Sequence, residues 1–317
     1  MKKLLLVSFL LFSIFSFAQE ADTTTVKEGW SRSGKITLLI NQSAFSNWQA
    51  GGDNNFAGNV NLNYDINYIK GDWTLDNKIL ASYGLTSTKD DGVRKTDDRL
   101  ELNSILGKKI KEHWSASFFM NFKTQFTDGF VYEDDYLNQA PSGVVRDNED
   151  FPTSGFFKPA YWSFGPGLLW KKNDNLYVNT SPLTAKFTFI TSEIFTYNDE
   201  DYFDANGDQL YVYESSNDVE TFGVDPGDSY LFEFGLNVRA YYKVEIMKNI
   251  SVENILNLFS NYIDKPQNVD IDYTMNLVMK INDVFSTNLT FQTIYDDNAF
   301  QGFQVREIFG LGVNVNL

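Results

Sequence analysis

Between Asn59 and Lys70 the chain reads NVNLNYDINYIK, and polar and apolar residues alternate at almost every step. Successive side chains on a strand point to opposite faces, so Val60, Leu62, Tyr64, Ile66 and Tyr68 share one face. Asn59, Asn61, Asn63, Asp65 and Asn67 share the other. The same alternation recurs in twelve segments: 34–44, 55–69, 73–85, 95–107, 114–126, 161–170, 176–189, 229–247, 250–261, 269–281, 285–295 and 305–317. Strands of soluble proteins are typically ~5–6 residues long, whereas a tilted strand crossing a bilayer needs ~9–11. The lengths therefore favour a membrane.

The connections carry a second pattern. Short ones (70–72, 108–113, 171–175, 248–249, 282–284) alternate with longer ones (45–54, 86–94, 127–160, 190–228, 262–268, 296–304). Short periplasmic turns and long external loops are the signature of an outer-membrane barrel. Aromatic residues fall near both strand ends. Tyr68, Trp73, Trp114, Trp170 and Tyr177 flank the short turns, and Tyr83, Phe126, Trp162, Tyr230, Tyr262 and Tyr295 lie near the opposite ends. Two such belts are expected at the two interfaces. The pattern predicts an all-β fold: a single antiparallel transmembrane β-barrel of about twelve strands, with short periplasmic turns and long acidic external loops. Its apolar parity faces lipid and its polar parity faces the lumen.

The first residues read differently. Lys2 and Lys3 precede an apolar run from Leu4 to Phe15, and Ser16-Phe17-Ala18 closes it. This is the layout of a cleaved secretory signal, and the run is shorter than the ~20 residues of a spanning helix. The expected organisation is a signal peptide over 1–18, a periplasmic tail over 19–33 and a barrel over 34–317. Export to the outer membrane of a Gram-negative cell follows, with outer-membrane lipid as the first partner.

Composition narrows the chemistry. The net charge is −16, and losing Lys2 and Lys3 makes it −18. The basic stripe of a nucleic-acid surface is missing, so no nucleic-acid partner is expected. There is no Cys and a single His, His113, beside a short turn at the end opposite the long loops. General-base hydrolysis needs an imidazole or a comparable base at the site, so the chain is not expected to be an enzyme.

Charge on the inward parity is the principal candidate for function. Lys78, Arg99, Glu101, Lys123, Glu233, Arg239, Lys243, Glu245 and Arg306 are predicted to line the lumen, with Glu253 and Lys280 beside them. Buried charges must pair, so these residues either stiffen a filled lumen or line a narrow path for a small polar solute. The external loops form the other candidate. Loop 127–160 holds seven acidic and two basic residues, and loop 190–228 holds eleven acidic and none basic. They could bind a surface protein or glycan. Within the second, Asp204, Asn206 and Asp208 suit a loop-bound calcium ion, because hard cations take carboxylate and carbonyl oxygens. Asn206-Gly207 equally suits the turn of a hairpin between DYF and QLYVY. No other cofactor is indicated.

Several stretches, taken in order, resemble a known family. They are NWQAGGDNN (47–55), RKTDDRLELNSILG (94–107), FKTQFTDGF (122–130), SPLTAKFTFI (181–190), NLFSNYIDKPQNVDIDY (257–273), IYDDN (294–298) and QVREIFGLG (304–312). Together they resemble secreted Bacteroidetes proteins grouped as a domain of unknown function. The resemblance implies an outer-membrane β-barrel inserted by the barrel assembly machinery, and it implies no activity. The chain departs from such barrels at its last residue, Leu317, where an aromatic is usual.

Overall fold

The computed structural model describes residues 28–44, 54–89, 92–131, 151–203 and 209–317. Twelve long strands build the wall. They are β1 (Gly29–Ser43), β2 (Asn55–Lys70), β3 (Trp73–Thr88), β4 (Gly92–Lys111), β5 (Trp114–Thr124), β8 (Ala160–Asn173), β9 (Leu176–Phe189), β12 (Tyr230–Met247), β13 (Ile250–Asn261), β14 (Val269–Lys280), β15 (Phe285–Asp296) and β16 (Phe300–Asn316). Two short hairpins stand in the external loops. One pairs β6 (Gly129–Val131) with β7 (Phe151–Ser154), the other β10 (Phe195–Phe203) with β11 (Gln209–Ser215).

Every wall strand pairs antiparallel with its neighbours in the order β1-β16-β15-β14-β13-β12-β9-β8-β5-β4-β3-β2, and β1 returns to β2, closing the barrel. The closing seam runs from Lys35 opposite Asn316 to Ile40 opposite Leu311. Closure joins the first and last strands over Lys35–Ile40 and Leu311–Asn316, so the sheet has no open edge along that stretch, as a sheet in hydrocarbon requires. Two-residue turns at the periplasmic end fit this hand of twist because Gly71 and Asn249 take positive φ, +55° and +68°. Among the described residues no helix is long and apolar enough to cross a membrane.

Four features differ from the sequence pattern. First, strand β1 starts at Gly29, so the segment assigned to a tail over 19–33 already pairs with β2 from Gly29 to Ser33. Arg32 breaks the alternation there, because this end of the hairpin projects past the closing seam. Second, two external connections are short. Thr88 pairs with Gly92, leaving only 89–91 as a loop, and Asp296 pairs with Phe300, leaving 297–299. Backbone pairing continues above the apolar zone, where side chains no longer alternate. Third, Tyr177 is no belt residue: it points into the barrel and stacks on Tyr241, centroids 5.1 Å apart. Fourth, Glu245 sits exposed at the periplasmic rim, where its carboxylate accepts the Asn249 backbone N–H at 3.2 Å. The signal segment 1–18, like Asp204, Asn206 and Asp208, lies outside the described residues. The hairpin expected around the latter is present, with Phe203 paired to Gln209.

Alternation places the two faces as the pattern predicts. Phe118, Leu168, Phe232, Phe309 and Leu311 are exposed on the outside, while Asn59, Glu101, Glu233 and Arg239 are buried inside. An exposed apolar belt of this extent would be an aggregation hazard in water and is the normal surface in lipid. Aromatic side chains mark its rims. Trp30 packs on Tyr68 at the periplasmic end, and Trp162, Phe187 and Tyr230 cluster at the outer one.

Candidate functional site

The inward residues meet across the barrel rather than along its wall. Lys78 on β3 pairs with Asp65 next door at 3.3 Å and with Glu253 on the opposite wall, β13, at 3.7 Å. Lys123 on β5 reaches Asp272 on β14 at 2.8 Å, and Lys171 on β8 reaches Asp76 on β3 at 2.7 Å. Arg306 on β16 pairs with Asp97 on β4. Apart from Lys78 and Asp65 on neighbouring strands, none of these strand pairs is adjacent in the sheet. Only side chains directed into the lumen can meet this way, so the contacts locate the interior independently of burial.

Two buried clusters organise the middle and outer levels. In the first, Glu101 pairs with Arg99, accepts hydrogen bonds from Asn103 at 2.8 Å and Asn121 at 3.1 Å, and lies 3.7 Å from Arg239. In the second, the Lys186 ammonium stands among Glu233 at 2.9 Å, Asp270 at 2.8 Å and Asp296 at 3.8 Å. Asp270, Asp296 and Asp297 gather within 4.8 Å of one another, a spacing that would suit a cation. Lys186 already supplies positive charge there. Such charges are tolerable in low dielectric only because each has partners.

Smaller details show how tightly the inner face is set. Asn59 on β2 donates to Asp97 on β4 at 2.7 Å, passing over Gly84 of the intervening β3. A Cβ at Gly84 would stand 2.7 Å from the Asn59 amide, so only glycine leaves room for this bond. Along the closing seam Thr37 donates to Asn314 at 3.0 Å, and Asn314 donates to Ser286 at 2.8 Å.

The inner face is not uniformly polar. Ile105, Phe119 and Leu169 bury one another inside the barrel, with Tyr177 packed against them. Among the described residues three cavities stand out. A periplasmic vestibule of about 480 Å³ is lined by Lys35, Lys78, Lys243 and Lys280 among others, and reaches inward to Arg99 and Arg306. A second cavity of about 280 Å³ also touches Arg99 and Arg306, and extends to Lys123, Tyr161 and Gln304. The third, an outer chamber of about 380 Å³, shares Lys123, Tyr161 and Gln304 with the second and holds Glu101, Lys186 and Arg239. Arg99 and Arg306 thus form the partition between the vestibule and the outer spaces. Phe222, from the external loop after β11, also lines the outer chamber. That loop is anchored by the buried cluster of Ile190, Ile194 and Val224.

Of the residues predicted to line the lumen, Lys78, Arg99, Glu101, Lys123, Glu233, Arg239 and Arg306 lie within these networks. Lys243 faces the vestibule, and Glu245 stands apart at the rim. Sequence reasoning missed Lys186, Asp97, Asp270, Asp272, Asp76 and Lys171. Lys186, Asp270 and Asp272 alternate with apolar or aromatic neighbours (Ala185, Phe187, Val269, Ile271, Tyr273), and a full parity assignment through the bulges would have found them. His113 occupies the periplasmic turn, exposed, with its ring near Trp170.

A membrane-type β-barrel with a partitioned, charged lumen is what the geometry gives. A family model described as a protein of unknown function (DUF3078) matches residues 40–130. No curated protein matches the chain. Among solved structures it is similar to the beta domain of the Bordetella autotransporter Brka, at 11% identity and a TM-score of 0.32, covering 90% of this chain and 98% of that one. It is also similar to an outer membrane channel from Pseudomonas putida F1, at 12% identity and a TM-score of 0.36, covering 95% and 99%. The Pseudomonas putida toluene transporter TodX gives 8% identity and a TM-score of 0.29, covering 92% and 88%. The fold assignment stands on the barrel's own closed strand order.

Proposed function

We propose that the protein resides in the outer membrane of a Gram-negative bacterium, of the Bacteroidetes by its sequence resemblance, and conducts small polar solutes without catalysing a reaction on them. One observation carries this reading: these lumen cavities share lining residues in series, and the vestibule and the second cavity meet at the side chains of Arg99 and Arg306. Side chains move on far shorter timescales than a barrel wall deforms, so such a partition passes small molecules and holds back large ones. The acidic external loops act on this reading as an electrostatic entrance that concentrates cations at the outer mouth.

Single-channel recording in a planar bilayer tests it. The refolded protein should give small, discrete conductance steps, and Arg306→Ala should enlarge them by thinning the partition. Silence from both proteins would defeat the passage reading. Unchanged steps after removal of loops 132–150 and 204–208, together with specific capture of a glycan by the intact protein alone, would favour a surface-binding role instead.

A further inference from the structure

The last strand carries a charge where the alternation calls for an apolar side chain. Along β16 the outward row reads Phe303, Val305, Glu307, Phe309 and Leu311, and every member but Glu307 is an exposed hydrophobic. The direction of the row is set independently, because Arg306 pairs with Asp97 and Asn314 bonds Ser286 inside the lumen. Glu307 is itself exposed and stands opposite Phe291, which lies between Phe285 at the periplasmic turn and Tyr295 in the outer aromatic belt. Its carboxylate therefore faces the hydrocarbon layer. No ion pair or hydrogen bond reaches it from the described residues. An ionisable group at that depth is costly alone and marks a contact or a pathway.

Two pairs of polar groups elsewhere on the outward face satisfy one another. Ser104 donates to Asn77 at 2.8 Å, and Tyr273 donates to Asn254 at 2.8 Å. The Thr293 hydroxyl, like Glu307, has no such partner among the described residues. Thr293 lies opposite Val305 on one side and Tyr273 on the other, which makes it the diagonal neighbour of Glu307. The two also stand at nearly the same depth. Opposed positions descend around the tilted wall, from Glu307 through Phe291, Met275, Asn254 and Tyr242 to Leu176 beside a periplasmic turn. Thr293 sits above Phe291 on β15, and this rise offsets the descent from one strand to the next.

A donor and an acceptor side by side and level on one outward patch are what a two-fold axis along the membrane normal requires. Two copies inserted in the same sense meet at equal depth, so each can offer its donor to the other's acceptor. Apolar contact alone does little to hold proteins together in lipid, whose chains are as apolar as Phe291 or Phe309, so polar pairs decide association. A cation on some other protein would pair with Glu307 but leave Thr293 unused. The far wall, where Trp162, Phe164, Phe187 and Phe232 pack on one another, presents aromatic surface instead.

We infer that β15 and β16 form a membrane-embedded interface for a second copy of this chain, each Glu307 carboxylate accepting the hydroxyl of Thr293 of the partner subunit. The inference rests on the outer-membrane residence proposed above and not on solute passage.

Disulfide cross-linking tests it cleanly, because the chain contains no cysteine. The full-length protein is expressed in a Gram-negative host, and its outer-membrane fraction is oxidised with copper phenanthroline. Phe291→Cys or Val305→Cys, which flank Glu307, should give a covalent dimer, and Phe232→Cys on the aromatic wall should not. In the cross-linking background Glu307→Leu and Thr293→Val should each lower the dimer yield at least about fivefold, the effect of losing both symmetric bonds. Glu307→Gln still accepts the hydroxyl and should keep most of it. Heat-modifiable gel mobility reports folding, and Thr293→Val carries the test should Glu307→Leu misfold. No dimer from either flanking cysteine, an equal dimer from Phe232→Cys, or a yield indifferent to both Glu307→Leu and Thr293→Val overturns the inference. So does a cross-link to a different protein that is lost with Glu307→Leu and kept with Thr293→Val. Folded protein in the outer membrane without a dimer retires only this inference; protein missing from that fraction overturns the residence reading with it.

Discussion

The two sides of the lumen are built on different principles. On the β4, β5, β8 and β9 side, Ile105, Phe119, Leu169 and Tyr177 pack as in the core of a soluble protein. On the β1, β2, β3, β14 and β16 side, Asn61, Asn63, Lys78, Asn276 and Asn316 line open space. A wall strand need only be apolar on its lipid face; what its inner face carries is free to vary. Filling one side confines the remaining volume to the other. An otherwise wide cylinder thereby becomes a narrow, off-centre path whose width is set by a few long charged side chains.

The packed side should be the costlier one to disturb. Phe119→Ala removes a ring that is 3% exposed and should destabilise the barrel by about 3–5 kcal/mol. Leu80→Ala, facing the vestibule, should cost far less. Urea unfolding in lipid vesicles measures both, and equal costs would erase the distinction between the sides. Next in size comes the contrast between inner and outer faces. Leu236→Arg places a charge in lipid and should cost about 2–4 kcal/mol, while the neighbouring Asn237→Arg points inward and should cost less. The reverse order in the same assay would mean that the faces are exchanged.

A smaller effect is expected where the open side is bridged. Gly84→Val forces a branched side chain against Asn59 and Asp97 and should cost about 1–3 kcal/mol by overpacking. Gly92→Val, with open space around it but a positive φ, probes backbone strain without that clash. Similar losses in both would show that the Asn59–Asp97 bond contributes little. Least of all in stability, Lys243→Glu at the exposed mouth should stay within about 0.5 kcal/mol. It should nevertheless shift the reversal potential of a salt gradient toward cations, since the vestibule holds more lysines than carboxylates near that mouth. An unmoved potential would place the permeation path elsewhere.

Much of this was legible in the chain. Strand number, order and most boundaries follow from alternation, because a lipid-facing row tolerates so few exceptions. The lumen charges followed from the same parity, and Lys78, Arg99, Glu101, Lys123, Arg239 and Arg306 meet as charges that must be paired. What escaped has three causes. On β9 the register shifts where Asn237 faces Ser181 and Gly235 faces Thr184, so odd residues face inward below the shift and even residues above it. A period of two read straight through this bulge cannot place both residues: a parity that sets Lys186 inside puts Tyr177 in the aromatic belt, and one that sets Tyr177 inside puts Lys186 in lipid. Likewise the extension of β3, β4, β15 and β16 above the membrane is driven by backbone pairing, which leaves no hydrophobic mark. Cross-lumen partners are a third case, since nothing local ties Lys123 to Asp272 or Arg306 to Asp97.

The shortness of the closing seam has a consequence for how this cylinder would fail. β1 meets β16 only from Lys35 to Ile40, while β1 meets β2 along its whole length from Gly29 to Ser43. Under sideways load the wall should therefore tear along that line first, as a sleeve parts at its shortest row of stitches. The Thr37–Asn314–Ser286 hydrogen bonds lie across or beside the same line and act as its reinforcement. During insertion the same line is the last to be sewn, since first and last strands must find each other after every other pair has formed.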